Sequence, residues 1–345
     1  MNVLVNTGPV AFRQLAALRV RATGERAPLR FERNLILGHT VGWQSAEDWH
    51  AIARHVRDID PRIETFIART DLPNSATRRM AASRPTLVVS PGPLSGFRPS
   101  RGSIYQGRPI PKLEQLRLLA AAGVNTPRTR VLTADLRLDP AEWGDFVIVK
   151  PTDLATSSYG RGIQLMRAGR VRYIAPHDYP ADHPGRRGPM VVQQFIDSGD
   201  RISYYRVLTF FGEPLYAQLS WGMEPRIDLA ASDEAIENSV IATQPLEKNK
   251  AFVNDRDVIA LARAAHAAMP DVPLKGCDII REARTGTLYV LEVNPGGNTW
   301  HFSSSYLARN RAANGPEFEK QRLDQFDALR TAARTLVQRT NAEAK

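Results

Sequence analysis

Two carboxylates and one amide, Asp278, Glu292 and Asn294, stand on two consecutive apolar segments near the carboxyl end of the chain. The segments flank a short loop, 284–286, whose last residue is a glycine. Three-residue hairpin loops commonly end in a left-handed glycine. A hairpin closed in this way places Asp278 opposite Glu292. Asn294 then shares the face of Glu292, because alternate residues of a strand point to the same side.

This arrangement suits a metal ion. Two carboxylates that lie opposite each other repel unless a cation sits between them. Oxygen ligands are typical of Mg²⁺, which commonly takes a few carboxylates together with substrate phosphates. The alternative is a solvated strand face that carries acids by coincidence. We favour the metal site, because the tight polar loop 295–298 follows directly and functional residues concentrate in such loops.

A second group of residues is typical of phosphate binding. Lys150 ends the apolar strand 146–150, and the segment 156–162, rich in glycine and hydroxyl groups, follows it. Glycines let backbone N–H groups approach phosphate oxygens, and Arg161 adds further donors. The loop matches neither a Walker A motif nor a dinucleotide fingerprint. Taken alone, it is equally consistent with an ordinary hairpin that has a long turn.

A third segment, 191–196, is an apolar strand that ends in a polar turn containing Asp197 and Asp200. Backbone groups at such a strand end can pair with an adenine edge, and either aspartate can accept a hydrogen bond from a ribose hydroxyl. The alternative is a plain strand end.

The order of these motifs resembles the ATP-grasp superfamily, and most closely its carboxylate–amine ligases. The resemblance covers about residues 105–310, and its most specific part is the Glu-x-Asn-Pro-Gly sequence with an aspartate on the preceding strand. The residues that carry it are Lys112, Gly123-Val124-Asn125-Thr126-Pro127, Lys150-Pro151, Ser158-Tyr159-Gly160-Arg161-Gly162, Gln193-Gln194-Phe195-Ile196, Tyr205-Arg206-Val207, Gly276-Cys277-Asp278 and Leu291-Glu292-Val293-Asn294-Pro295-Gly296-Gly297.

The resemblance implies ATP as a ligand, with two Mg²⁺ ions, or Mn²⁺ in their place. It implies that two lysines contact the phosphates, that a mobile lid covers them, that two backbone positions meet the adenine and that one acid binds the ribose. The two lysines are Lys112 and Lys150, and the lid contains Ser158, Gly160, Arg161 and Gly162. The adenine positions are Gln194 and Ile196, and the ribose acid is Asp200. It also implies that the metal ions are held by Asp278, Glu292 and Asn294, with Glu292 bridging them.

The sequence departs from the family pattern at two places. Many such ligases carry an arginine two residues before the metal aspartate, where this chain has Gly276. Arg206, Lys275 and Arg281 are the alternatives for this catalytic cation. The adenine segment often contains an acid, whereas this chain has Gln193-Gln194. The loop 295–305, with Asn298, Trp300 and His301, is expected to face the acceptor substrate, where His301 either takes a proton from the amine or is structural.

The elements that must position these residues are predicted to form an α/β fold. In residues 1–105, short strands predicted at 2–5, 63–67 and 86–89 alternate with helices predicted at 12–20 and 46–57, which favours an amino-terminal α/β domain. A segment rich in proline and glycine, 90–108, reads as a linker. The resemblance implies an ATP-grasp fold of two α+β subdomains after it, a small one at 106–190 and a large one at 191–345. The last helix is predicted to run from about Pro316, with Leu323, Phe326, Leu329, Ala333 and Leu336 on one face.

Composition limits the function classes. The 345 residues include one cysteine, which excludes an internal disulfide and a cysteine-based zinc site. No apolar run is long enough for a membrane span, and the start of the chain does not read as a secretory signal, so a cytoplasmic location is expected. The net charge of +10 favours anionic partners, but without a basic block a nucleic-acid partner is not expected.

The predicted function is therefore an ATP- and Mg²⁺-dependent ligase that joins a carboxylate and an amine through an acyl phosphate, releasing ADP and phosphate. Its partners are small-molecule or peptide carboxylates and amines, and the resemblance allows a homodimer. Two alternatives remain open: a small-molecule kinase on the same fold, and a nucleotide- or nucleic-acid-binding protein without catalysis.

Overall fold

The computed structural model describes residues 30–72, 79, 81, 83–96, 102–152, 162–241, 248–303 and 306–345. The strand predicted near residues 2–5 and the helix predicted at 12–20 lie outside the described residues. Residues Phe31–Lys345 form one compact unit.

A parallel sheet of four strands, in the order β2-β1-β3-β4, opens the described chain. Its strands are β1 (Arg33–His39), β2 (Ile63–Arg69), β3 (Thr86–Ser90) and β4 (Ser103–Gln106). Helix α1 (Ala46–Ile59), which starts at the capping side chain of Ser45, packs on one face of it. The sequence did not predict β1, and it assigned the β4 segment to a linker. Strand β4 is half-exposed at the sheet edge, so it lacks the continuous apolar run of a central strand.

The middle of the chain forms an antiparallel sheet in the order β5-β8-β6-β7. Its strands are β5 (Thr129–Val131), β6 (Phe146–Pro151), β7 (Gln164–Arg167) and β8 (Met190–Gln194). Helices α2 (Lys112–Ala121) and α3 (Pro140–Trp143) belong to this part of the chain. Between β7 and β8 lie three short 3₁₀ turns, Ala168–Arg170, Pro176–Asp178 and Pro184–Arg186.

A second antiparallel sheet has the order β11-β10-β9-β12-β13. Its strands are β9 (Ser203–Phe210), β10 (Glu213–Gly222), β11 (Lys248–Phe252), β12 (Leu274–Arg281) and β13 (Leu288–Pro295). Helix α4 (Asp233–Glu237) precedes β11. Helix α5 (Arg256–Ala267) covers one face of the sheet, where Val207, Ala217 and Cys277 are buried against it. The opposite face carries the polar residues of the site. Strand β11 was not predicted from the sequence.

Two helices close the chain where the sequence predicted one, so that prediction is wrong. Helix α6 (Tyr306–Asp324) bends at Gly315, and α7 (Ala328–Glu343) follows. The break between them falls at Asp327, whose φ of 48° is left-handed. Gln325 stabilises the break, because its side chain hydrogen-bonds the backbone of Ala217 and Val253. Helix α7 buries its apolar face in the cluster that contains Trp49 of α1.

The predicted α/β architecture, an α/β layer followed by two antiparallel α+β layers, is confirmed. The division into domains at residues 105 and 190 stays a prediction; β8 belongs to the middle sheet, which therefore ends at Gln194. None of the helices in the described part of the chain has both the length and the apolar character needed to cross a bilayer.

Candidate functional site

The hairpin β12–β13 places Asp278 directly opposite Glu292, as the sequence predicted. The loop, however, holds four residues rather than three, because Glu282 and not its successor pairs with Thr287. A bulge at Leu291 compensates for that shift and restores the predicted register at the acids. Gly286 has a φ of 72°, the left-handed conformation expected at this position.

A third strand brings a cation to the carboxylates. Arg206 on β9 lies opposite Asp278 and binds it side-on, with Nε 2.7 Å from Oδ1 and Nη2 2.6 Å from Oδ2. Burial raises the pKa of Asp278, and the charge and hydrogen bonds of Arg206 act against that rise. Burial also lowers the pKa of Arg206, but Asp278 outweighs it and holds that pKa well above its ordinary value. Such a bidentate pair is geometrically specific as well as strong.

Glu292 is held by different partners. Lys112 at the start of α2 places Nζ 3.0 Å from Glu292 Oε2. Asn294 Nδ2 lies 3.2 Å from both Glu292 Oε1 and Asp278 Oδ2, so the amide joins the two acids. Burial would raise the pKa of Glu292, yet Lys112 and Lys150 together lower it to about 2. Glu292 is therefore ionised at neutral pH.

Lys150 reaches the same place from the middle sheet. Its Nζ donates to Gln193 Oε1 at 2.8 Å, and Gln193 Nε2 donates to Thr129 Oγ1 at 2.9 Å, which fixes the orientation of the amide. Burial, followed by repulsion from Lys112, lowers the pKa of Lys150 to about 8. The ammonium thus titrates close to neutral pH.

The charges of this cluster decide what it can bind. Three cations, Arg206, Lys112 and Lys150, face two carboxylates, Asp278 and Glu292. The carboxylate oxygens are ligands of the kind that hard divalent cations take, and Asn294 would join them with its amide turned so that Oδ1 replaces Nδ2 beside the acids. A bare dication would meet the repulsion of the three cations. A metal ion that arrives with a polyphosphate would not, because the phosphates supply the missing negative charge. In the described chain no three His, Cys, Asp or Glu side chains group as metal ligands, so the third protein ligand would be an amide.

The two other cations proposed from the sequence point away from this cluster. Lys275 and Arg281 are each three residues from Asp278 on β12, which puts them on the opposite face of the sheet. Lys275 is 1% exposed and donates to the carbonyls of Val272 (2.6 Å) and His266 (3.3 Å). Arg281 pairs with Asp255 at 2.6 Å. Of the three, only Arg206 lies with the carboxylates.

The residues expected to hold the nucleotide are only partly described. Ser158, Gly160 and Arg161 lie outside the described residues, whereas Gly162 is present with a left-handed φ of 70°. Gln194 donates its N–H to the carbonyl of Arg128, and Ile196 is buried. Contact of Gln194 with a base through that N–H would therefore require the bond to Arg128 to break.

In the turn after β8, the two acids proposed for the ribose have different environments. Asp197 accepts from the N–H of Gly199 at 2.9 Å and pairs with Arg226 at 3.2 Å. Asp200 is exposed, and its carbonyl accepts from the N–H of Arg226. The carboxylate of Asp197 is thus engaged within its own turn, which favours Asp200 for an external hydroxyl.

The loop after β13 does not present Trp300 to a substrate, in contrast to the expectation. Trp300 is buried, donates from Nε1 to Asp48 Oδ2 at 2.7 Å, and packs against Trp49 with ring centroids 5.0 Å apart. It anchors the loop to α1. Asn298 belongs to the 3₁₀ turn Gly297–Thr299.

His301, in contrast, remains beside the charged cluster. Its Nδ1 lies 2.9 Å from the hydroxyl oxygen of Tyr216 on β10. Burial, followed by the charges of Arg206 and Arg322, lowers the pKa of His301 well below its usual value, so the imidazole is neutral. The sequence analysis missed Tyr216 and Arg322. Strand alternation could have found Tyr216, because it is two residues from Gln218, which pairs with Arg206; no local pattern marks Arg322.

Comparisons with known proteins give similarity to solved structures only. No family model and no curated protein sequence matches the chain. D-cycloserine synthetase DcsG is 16% identical, with a TM-score of 0.46 over 89% of this chain and 99% of that one. ATP-grasp ligase PsnB in complex with its minimal precursor is 18% identical, with a TM-score of 0.46 over 90% and 99%. D-alanine–D-alanine ligase from Bacillus anthracis is 13% identical, with a TM-score of 0.42 over 90% and 97%. Because these TM-scores lie below 0.5, the function has to be inferred from the residues of this chain.

Proposed function

We propose that the protein is an ATP- and Mg²⁺-dependent ligase that joins a carboxylate to an amine and releases ADP and phosphate. The observation that carries this proposal is the convergence of Arg206, Lys112 and Lys150 on the carboxylates Asp278 and Glu292. An excess of cations around two oxygen ligands is complementary to a metal-bound polyphosphate.

The proposed reaction needs charge neutralisation more than a nucleophilic side chain. The substrate carboxylate attacks the γ-phosphorus, the bond to the β-phosphate oxygen breaks, and ADP leaves with the bonding electrons. Lys112, Lys150 and Arg206 offset the negative charge as it moves from the γ- to the β-phosphate oxygens. Mg²⁺, held by Asp278, Glu292 and Asn294, would add to that neutralisation when bound.

In the second step the amine attacks the acyl phosphate, inorganic phosphate leaves, and the nitrogen loses a proton. In the tautomer whose Nδ1–H donates to the hydroxyl of Tyr216, the neutral imidazole of His301 would take that proton at Nε2. Cys277, the single cysteine, is not a competing nucleophile. It is 1% exposed on the helix-covered face of the sheet, and burial raises the pKa of its thiol.

Titration calorimetry with the non-hydrolysable analogue AMP-PNP, with and without Mg²⁺, tests the nucleotide site. We expect binding that Mg²⁺ strengthens, and no binding under either condition would refute the proposal. Pools of acids and amines are then screened for ADP and free phosphate. A ligase releases one phosphate for each ADP, whereas ADP without free phosphate would identify a kinase.

A further inference from the structure

A buried guanidinium lies against the ring of Tyr216, on the strand next to the one that carries Arg206. Arg322 of α6 is 2% exposed, and its Cζ lies 5.4 Å from the ring centre of Tyr216 and 5.3 Å from that of Phe318. Its Nη1 donates to the carbonyl of His301 at 3.0 Å. Among the described residues, its Nε has no hydrogen-bond partner and its guanidinium forms no ion pair.

Burial of the Arg322 guanidinium in this environment costs folding free energy in the absence of a ligand. A buried charge without a counter-charge loses its hydration and gains little in return. Burial lowers the pKa of Arg322, although the charges of Tyr216 and Glu319 act in the opposite direction. Contacts with two aromatic rings offset part of the cost, but they leave the side-on edge of the guanidinium, Nε and Nη2, without an acceptor among the described residues.

The Nε edge of Arg322 lies near the cluster formed by Arg206, Lys112, Lys150, Asp278 and Glu292. The charges of Arg206, Arg322 and Lys250 all act on the buried His301. The hydroxyl of Tyr216 is acted on by both Arg322 and Arg206. The acid of this neighbourhood that lies on the strands, Asp278, already binds Arg206 through both oxygens. Among the described residues, Asp278 is thus already paired and Glu319 acts on Arg322 by its charge, whereas three cations act on this neighbourhood, so an anionic group placed here would meet a net positive potential.

We propose that Arg322 binds a carboxylate that a substrate carries in addition to its reacting groups. The guanidinium edge matches the two oxygens of a carboxylate. The assignment of this ligand to a substrate rests on the proposed ligase function, whereas the anion site itself does not. Arg322 acts here as a specificity-determining residue, since it selects substrates by a group that remains unchanged in the product.

Acetate serves as the probe for the site. The melting temperature of the full chain is measured in sodium acetate and in sodium chloride of equal ionic strength. Acetate should raise it for wild type and for R330M, a control at an exposed arginine of α7. It should not raise it for R322M, and R322K should respond partially because it keeps the charge but loses the fork. An equal acetate response in R322M and wild type, or none in wild type, overturns the proposal.

The chloride data separate binding from a structural role. Because the hydrogen bond to His301 and the two ring contacts only offset the cost of burying the charge of Arg322, R322M should melt within a few degrees of wild type in chloride. A large loss of stability in both R322M and R322K would instead identify Arg322 as a structural residue and would overturn the proposal.

Two matched pairs then assign the carboxylate. Glycine and succinate are each compared with acetate at equal concentration, with wild type and R322M, because acetate gives the response of the site to a single carboxylate. A larger response to glycine than to acetate, in wild type only, places the carboxylate on the amine substrate. A larger response to succinate than to acetate places it on the acid substrate, and responses to both that only equal the acetate response overturn the proposal.

AMP-PNP binding distinguishes failure of this inference from failure of the proposed function. R322M should bind AMP-PNP and Mg²⁺ as wild type does. Acetate binding at Arg322 without nucleotide binding would refute the ligase and leave the anion site standing. Nucleotide binding without an acetate effect would refute only the anion site.

Discussion

Arg206 and Asp278 form a side-on ion pair across strands β9 and β12, with hydrogen bonds of 2.7 and 2.6 Å, although 72 residues separate them in the sequence. In the hairpin alone, Asp278 and Glu292 would face each other and repel. The charge of Arg206 compensates one of these two carboxylates. Arg206 is thus in direct contact with one proposed metal ligand, as Lys112 is with another, and the first prediction concerns Arg206.

Replacing Arg206 by methionine should lower the rate of ADP release about 100- to 1,000-fold, the loss typical of removing one donor that stabilises developing charge. The fold should persist, as circular dichroism would show. R281M is the matched control, because Arg281 pairs with Asp255 on the other face of the sheet. Comparable losses in R206M and R281M would contradict the assignment of the catalytic cation to Arg206.

Glu292 should couple metal binding to nucleotide binding. Calorimetry with Mg²⁺ alone should show weak binding, because Arg206, Lys112 and Lys150 surround the two carboxylates. Mg²⁺ should nevertheless strengthen AMP-PNP binding by wild type, and E292Q should lose both this effect and turnover. E114Q, at an exposed acid of α2 paired with Arg117, is the control. Micromolar affinity for Mg²⁺ without nucleotide would argue against this charge balance.

Lys150 should make nucleotide affinity depend on pH. Its pKa is lowered to about 8 by burial and by Lys112, and a bound phosphate favours the protonated form. Affinity should therefore be full below pH 8 and fall as the pH rises through 8, by at most tenfold per unit. K150M should weaken binding about 10- to 100-fold, since a hydrogen bond to a charged group contributes about 1.5–3 kcal/mol.

The control for this pH profile is K150R, whose guanidinium stays charged. Calorimetric titrations between pH 6.5 and 9.5 should give a flatter profile for K150R than for wild type, and the difference removes the titration of the nucleotide itself. Parallel profiles would show that Lys150 does not contact the phosphates.

Trp300 should matter for stability rather than for substrate choice. W300A removes a buried indole that packs on Trp49 and should destabilise the protein by about 3–5 kcal/mol in urea unfolding. D48N, which weakens the acceptor of the indole N–H, should have a smaller effect of about 1 kcal/mol. If W300A kept wild-type stability and lost activity with one substrate only, the loop would face that substrate after all.

The sequence by itself determined the relation between Asp278, Glu292 and Asn294. Strand alternation and a loop that ends in glycine are local properties, and they fix which residues of a hairpin share a face. Even here the loop length was wrong by one residue, and the register held only because the bulge at Leu291 compensates. The α/β architecture was likewise readable from periodicity, because burial of one face of an element imposes a regular spacing of its apolar residues.

Only the tertiary structure decided which cation meets the acids and what the loop after β13 does. Arg206, Lys275 and Arg281 look equivalent in the sequence, and the order of strands in the sheet separates them. Lys112 and Lys150 come from different elements and converge on Glu292 through packing that no local pattern encodes. Trp300 and Arg322 are buried by segments distant in the chain. Their contacts depend on which apolar surfaces pack against each other to exclude water, and this packing is a property of the whole fold.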